Sequence, residues 1–126
     1  MYEYSIQLRE VYDGDTVVVD IDLGFDVWLK DQRVRIDGID APEIKSKDAT
    51  EKRFGAEARE FLRSLLEGRL LKLTVEKYDS TEKYGRILGD IVYGVPNARG
   101  GGYLYWSARD QLIAYGRAKE YHGGPR

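Results

Sequence analysis

"DGDTVVVDIDL", residues 13–23, reads as a turn followed by a strand. Val17, Val19, Ile21 and Leu23 alternate with Val18, Asp20 and Asp22, the period of a half-buried strand with one polar face. Asp13-Gly14 is a turn pair, which on its own would only decorate a loop or hairpin. Asp15, however, is in phase with Val17 and Val19, so the pattern carries a carboxylate onto the core face at the strand's mouth. A carboxylate there is costly unless it is hydrogen-bonded, paired or bound to a cation.

Working outward, "YSIQLREV" before this stretch and "VWLKDQRVRI" after it have strand length and β-branched or aromatic content. "DLGFD" supplies a hairpin turn around Gly24. The period then changes: Phe54, Ala58, Phe61, Leu62 and Leu65 fall three and four apart, the apolar stripe of a helix. Asp48 with Glu51, or Thr50, suits its start, and Gly68 its end. "LLKLTVEKY" and "RILGDIVY" read as two further strands. The glycine-rich stretch 98–102 reads as a strand-to-helix connection. It leads to a second helix with Ser107 and Asp110 in its first turn, Ala108, Leu112 and Tyr115 on its buried face, and Gly116 at its end. The order β-β-β-α-β-β-α predicts a β-rich α+β fold, a five-stranded OB-type Greek-key barrel with helices packed on it.

At 126 residues, one domain covering 1–126 is expected, large enough for a core without disulfides. No cysteine is present, which excludes thiolate chemistry and zinc–thiolate sites, and a single histidine, His122, removes histidine-pair metal sites. Acid–base chemistry therefore falls to carboxylates, Lys, Arg or Tyr. The first residues show no secretory pattern and no run reaches membrane-spanning length, so a cytoplasmic protein is expected; a monomer is expected as well. Net charge is −2, so binding of nucleic acid requires a local basic patch or a bound cation.

Charge concentrates again in "RIDGIDAPE", residues 35–43. Arg33 and Arg35 share one face of the third strand, Gly38 loosens the chain, and "DAP" turns it, with Ala41 held extended before Pro42. As a bland strand exit, these charges would form surface pairs of little worth. As a site, Asp15 and Asp40 with a turn carbonyl offer the hard oxygen donors that a Ca²⁺-type ion takes. Glu43 stands where it could hold a water. Arg86, in "EKYGRIL", adds a second guanidinium to Arg35, and planar guanidinium forks neutralise phosphate. A cation, two arginines and a carboxylate base are the parts of a phosphodiester-cleaving site.

Taken in order, "DGDT", "RIDGIDAPE", "RFGAEAREF" and "KYGR" resemble the staphylococcal nuclease-like (thermonuclease) family, over roughly residues 5 to 120. The resemblance implies an OB barrel and a Ca²⁺-dependent nuclease acting on DNA and RNA, single strands preferred, cutting the 5′ P–O bond to leave 3′-phosphate ends. It makes Asp15, Asp40 and the Ala41 carbonyl the calcium ligands, Glu43 the general base, and Arg35 and Arg86 the phosphate clamps. Lys83 and Tyr84 match positions beside the nucleotide, and Tyr121, in a "Y-x-G-G" tail, is a further candidate for the substrate groove. Asp37 departs from the family pattern, with Arg33 a candidate partner, as does the acidic net charge. The alternative is a catalytically silent OB module of the same family that binds nucleic acid or a protein. Silent copies lack one or more of the site residues, whereas Asp15, Arg35, Asp40, Glu43 and Arg86 are all present here.

Overall fold

The structure, a computed structural model, describes residues 1–75 and 85–122. Five strands build the barrel: β1 (Tyr2–Asp13), β2 (Thr16–Asp22), β3 (Trp28–Ile36), β5 (Leu71–Val75) and β6 (Ile87–Pro96). The sheet runs β3-β2-β1-β5-β6, with antiparallel neighbours, and closes through a parallel β3–β6 pairing that sets Val34 against Ile87 and Arg35 against Leu88. Closure of five strands in this order is the OB barrel expected from the sequence. Its interior follows the alternation of the strands: Val17, Val19, Val34, Ile36, Leu73 and Ile91 are buried in one apolar cluster. The β2–β3 hairpin turns at Gly24: the Leu23 amide donates to the Val27 carbonyl and the Val27 amide to the Gly24 carbonyl, both at 2.9 Å.

Helix α1 (Ala49–Leu66) closes one side of the barrel. Asp48 caps it by accepting from the Thr50 amide, and Gly68, at φ 75°, stands just past its end. Its buried stripe is Gly55, Ala58, Leu62 and Leu66; Phe54, assigned to the stripe from sequence, is exposed, while Phe61 and Leu65 are half-buried at its margin. Small residues lead the buried face because the helix lies very close to the loops beneath it. A Cβ on Gly14 would fall 2.7 Å from the Ala58 Cβ and 2.9 Å from that of Ala41.

Three features differ from the sequence reading. The stretch 98–102 is the turn of a hairpin joining β6 to an added strand, β7 (Tyr103–Ser107), and α2 (Ala108–Ala114) follows β7 directly. Strand β7 escapes periodicity because "YLYW" is apolar throughout yet exposed on both faces. Tyr115 is exposed, its ring tilted against Phe61 at 5.3 Å, since α2 ends before that residue. Asp20, placed on the polar face, is buried: a bulge in the β2–β3 pairing aims the Asp31 amide at its carboxylate (2.9 Å), and Lys30 and Arg9 approach at 3.4 and 3.6 Å. Chiefly that amide holds the Asp20 carboxyl below its ordinary range. Two short strands, β4 (Ile39–Asp40) and β8 (Lys119–Glu120), pair with each other outside the barrel. Among the described residues no helix is long and apolar enough to cross a membrane.

Candidate nuclease site

The end of β3 and the β1–β2 turn meet at one rim of the barrel. The register places Thr16 beside Arg35, and the Ile36 amide donates to the Asp15 carbonyl (2.8 Å), so the turn is stitched to the strand carrying the arginine. Arg35 is only 3% exposed. Its two terminal nitrogens donate to the Ile36 carbonyl (2.9 Å) and the Ile39 carbonyl (3.0 Å). These contacts fix the guanidinium between two carboxylates, Asp15 at 3.4 Å and Asp40 at 3.6 Å. The expected phosphate clamp is therefore built into the floor of the site rather than held out in solvent.

Asp15 is buried, as its phase in the strand predicts. Its Oδ2 accepts from the Ala41 amide (2.8 Å) and its Oδ1 from the Thr16 hydroxyl (3.2 Å). Asp13 supports the turn by accepting from the Asp15 amide (3.0 Å). Burial, then the hydrogen bond and charge of Asp13, push the Asp15 carboxyl up to about 6; Arg35 and the Ala41 amide pull the other way. The result is a carboxylate that is poorly compensated when ionised, sharing the Arg35 guanidinium with the half-exposed carboxylate of Asp40.

Glu43 lies two residues beyond Ala41, exposed, on the loop between β4 and α1. That loop is pressed onto the helix. A Cβ on Gly55 would sit 2.8 Å from the Glu43 carbonyl carbon and oxygen and 2.9 Å from the Ile44 amide nitrogen. Ser46 and Glu51 tie the same loop to the helix's first turn through a 2.7 Å hydrogen bond. Arg86 immediately precedes β6, one residue before the Ile87–Val34 pair, so its backbone lies beside the strand that carries Arg35.

Of the residues expected to form the site, Asp15, Arg35, Asp40 and Ala41 form one bonded cluster, with Glu43 and Arg86 on adjoining segments. Lys83 and Tyr84 lie outside the described residues. Tyr121 is half-buried, and its amide donates to the Gly38 carbonyl (2.8 Å), anchoring the tail beside the site. The Arg33 guanidinium lies over the Tyr12 ring at 5.0 Å, and Asp37 is exposed, with Arg109 near its carbonyl at 3.5 Å. Lys119 was not anticipated. It is the register partner of Asp40 in the β4–β8 pair, and a cleft of about 560 Å³ opens between this pair and the first turns of α1. A two-residue strand leaves no periodicity to read, so nothing in the sequence marked it.

The donor set suits a hard cation. Asp15, Asp40 and the Ala41 carbonyl are oxygen donors, and both carboxylates approach the same buried guanidinium. Among the described residues no group of three or more His, Cys, Asp or Glu that could hold a metal ion is gathered in one place.

The family model for "Staphylococcal nuclease homologue" matches residues 33–123. The chain belongs to the staphylococcal nuclease family. It is 30% identical to the thermonuclease of Staphylococcus intermedius over 102 residues, covering 77% of this chain and 56% of that protein. The thermonuclease of Staphylococcus hyicus is 30% identical over 92 residues, 73% of this chain and 50% of that one. A probable staphylococcal-like nuclease of Oryza sativa subsp. japonica is 41% identical over 68 residues, 54% of this chain and 18% of the relative. The chain thus spans about half the length of the two bacterial nucleases.

Proposed function

We propose that this staphylococcal nuclease family member is a calcium-dependent nuclease hydrolysing phosphodiester bonds of DNA and RNA. The observation that carries the proposal is the convergence of the Asp15 and Asp40 carboxylates on one buried guanidinium, with Ala41 bonded to the first of them. Asp15, Asp40 and the Ala41 carbonyl would hold the ion, which when bound neutralises charge on the phosphoryl oxygens. Glu43 accepts a proton from water as the water oxygen attacks phosphorus. The 5′ P–O bond breaks, its electron pair stays on the 5′ oxygen, and protonation there gives a 5′-hydroxyl and a 3′-phosphate. Arg35, held by the Ile36 and Ile39 carbonyls and paired with Asp15 and Asp40, would set its fixed positive charge against the phosphate. Arg86 neutralises the phosphate from the β6 side and serves the departing oxygen. Lys83, Tyr84 and Tyr121 are assigned to the nucleotide's surroundings.

The test is digestion of single-stranded and heat-treated double-stranded DNA, with calcium and with a chelator. Cutting with calcium, arrest on chelation, and fragments whose 3′ ends resist polymerase extension until a phosphatase is added are expected. Metal-independent cutting, or no cutting across several divalent ions, would overturn the assignment.

A further inference from the structure

At the barrel rim opposite the site, a second cleft of about 450 Å³ lies between the middle of β1, the start of β3 and the segment joining α1 to β5. Ser5, Gln7, Trp28, Arg69, Lys72 and Tyr105 contribute its polar, charged and aromatic lining; the remainder is aliphatic or glycine. Two cations and no carboxylate line it, in a chain whose net charge is −2. Trp28 and Arg35 stand at the two ends of β3, seven residues apart. At roughly 3.3 Å per residue, that puts the cleft about 23 Å from the catalytic arginine.

Tyr103 and Tyr105 pack close to the β6 backbone. Gly94 leaves room for two tyrosine rings: a Cβ there would meet Tyr105 at 3.2 Å and Tyr103 at 3.3 Å. The Gly94 amide also donates to the Leu70 carbonyl (2.8 Å), which ties the β6–β7 hairpin to the cleft wall. The Lys72 ammonium lies 4.4 Å from the centre of the Tyr105 ring, Lys30 lies 5.5 Å from that of Trp28, and Arg69 lies 5.3 Å from that of Tyr93. Tyr105 nonetheless stays 39% exposed and Tyr103 49%. Lys72 also makes a long ion pair, 3.9 Å, with exposed Glu3.

We infer that this cleft is a second binding surface for single-stranded nucleic acid, separate from the cleavage site. Cations beside exposed rings match a strand whose phosphates take Arg69 and Lys72 while bases stack on Tyr105 and Trp28. Stacking requires unpaired bases, so the ligand is a single strand. Protein–protein interface cores are depleted in charge, particularly lysine, and this lining places Lys72 and Arg69 among its aromatics.

The test measures binding with calcium chelated, so its outcome does not depend on cleavage. A labelled oligothymidylate of about twelve nucleotides falls within the range one OB barrel covers. It is titrated into the parent and into Tyr105→Ala and Lys72→Gln, and followed by fluorescence anisotropy. Loss of one stacking ring is expected to weaken binding about tenfold, and Lys72→Gln to flatten the salt dependence. Should Tyr105→Ala not fold, Trp106→Phe leaves Trp28 as the sole tryptophan, whose emission the oligonucleotide should quench. Affinity within twofold of the parent in folded Tyr105→Ala, no quenching of Trp28, or a dimer that Tyr105→Ala dissociates would each overturn the inference.

Discussion

Asp15 carries opposing demands at a single position. Its carboxyl is pushed up to about 6 from an ordinary value of 3.8, chiefly by burial and then by Asp13. Because the folded value lies above the unfolded one, the protonated form is favoured by folding. That contribution is complete below the unfolded value and is lost as pH rises through about 6. The difference amounts to on the order of 3 kcal/mol at neutral pH. Asp15→Asn keeps an acceptor for the Ala41 amide without the charge. Its melting temperature should match the parent's near pH 4 and exceed it increasingly up to neutral pH, when both are measured with calcium chelated. Parallel pH profiles would show that Asp15 is not the destabilising charge. Burial of Asp90 raises its carboxyl too, but that residue is common to both proteins and cancels in the comparison.

Among the elements, α1 sets the position of the proposed base. Gly55 sits in mid-helix, where alanine ordinarily adds about 0.5–1 kcal/mol of stability. Here a Cβ would fall 2.8 Å from the Glu43 carbonyl group, so the loop bearing Glu43 must move. Gly55→Ala should therefore lower the melting temperature and reduce cleavage more than tenfold with little change in calcium affinity. A stabilised variant with parental activity would mean that the loop's seat on α1 is immaterial. The glycine was visible in "RFGAEAREF", but as one residue beside an apolar stripe. Its meaning came only from the loop packed on it, which periodicity does not encode. For the same reason the stripe itself shifted: Phe54 is long enough to be read as core, whereas close approach selects Gly55 and Ala58. Asp15, by contrast, was legible, since strand phase alone places it on the inner face.

For the molecule as a whole, closure of β3 onto β6 brings the segment with Arg86 beside the one with Arg35, although 51 residues separate them (86 − 35). The barrel order and the ordered motifs pointed to this juxtaposition. The β7 extension, the β4–β8 clamp and the burial of Arg35 had no such signal, because each depends on contacts between segments distant in sequence. If the carboxylates at this junction bind calcium, the ion stabilises the folded chain by mass action. The parent's melting temperature should then rise with calcium at pH 7, and Asp40→Asn should abolish or strongly weaken that rise. An identical calcium titration in both proteins would remove Asp40 from the ligand set.

The most direct test of the account is single-turnover cleavage of an end-labelled DNA single strand, in calcium, by the parent and by Glu43→Gln. Removing a general base costs about 10²–10⁴ in rate. The account predicts a loss in that range, with calcium-linked stabilisation retained in the variant. Cleavage by Glu43→Gln within a few-fold of the parent would contradict it.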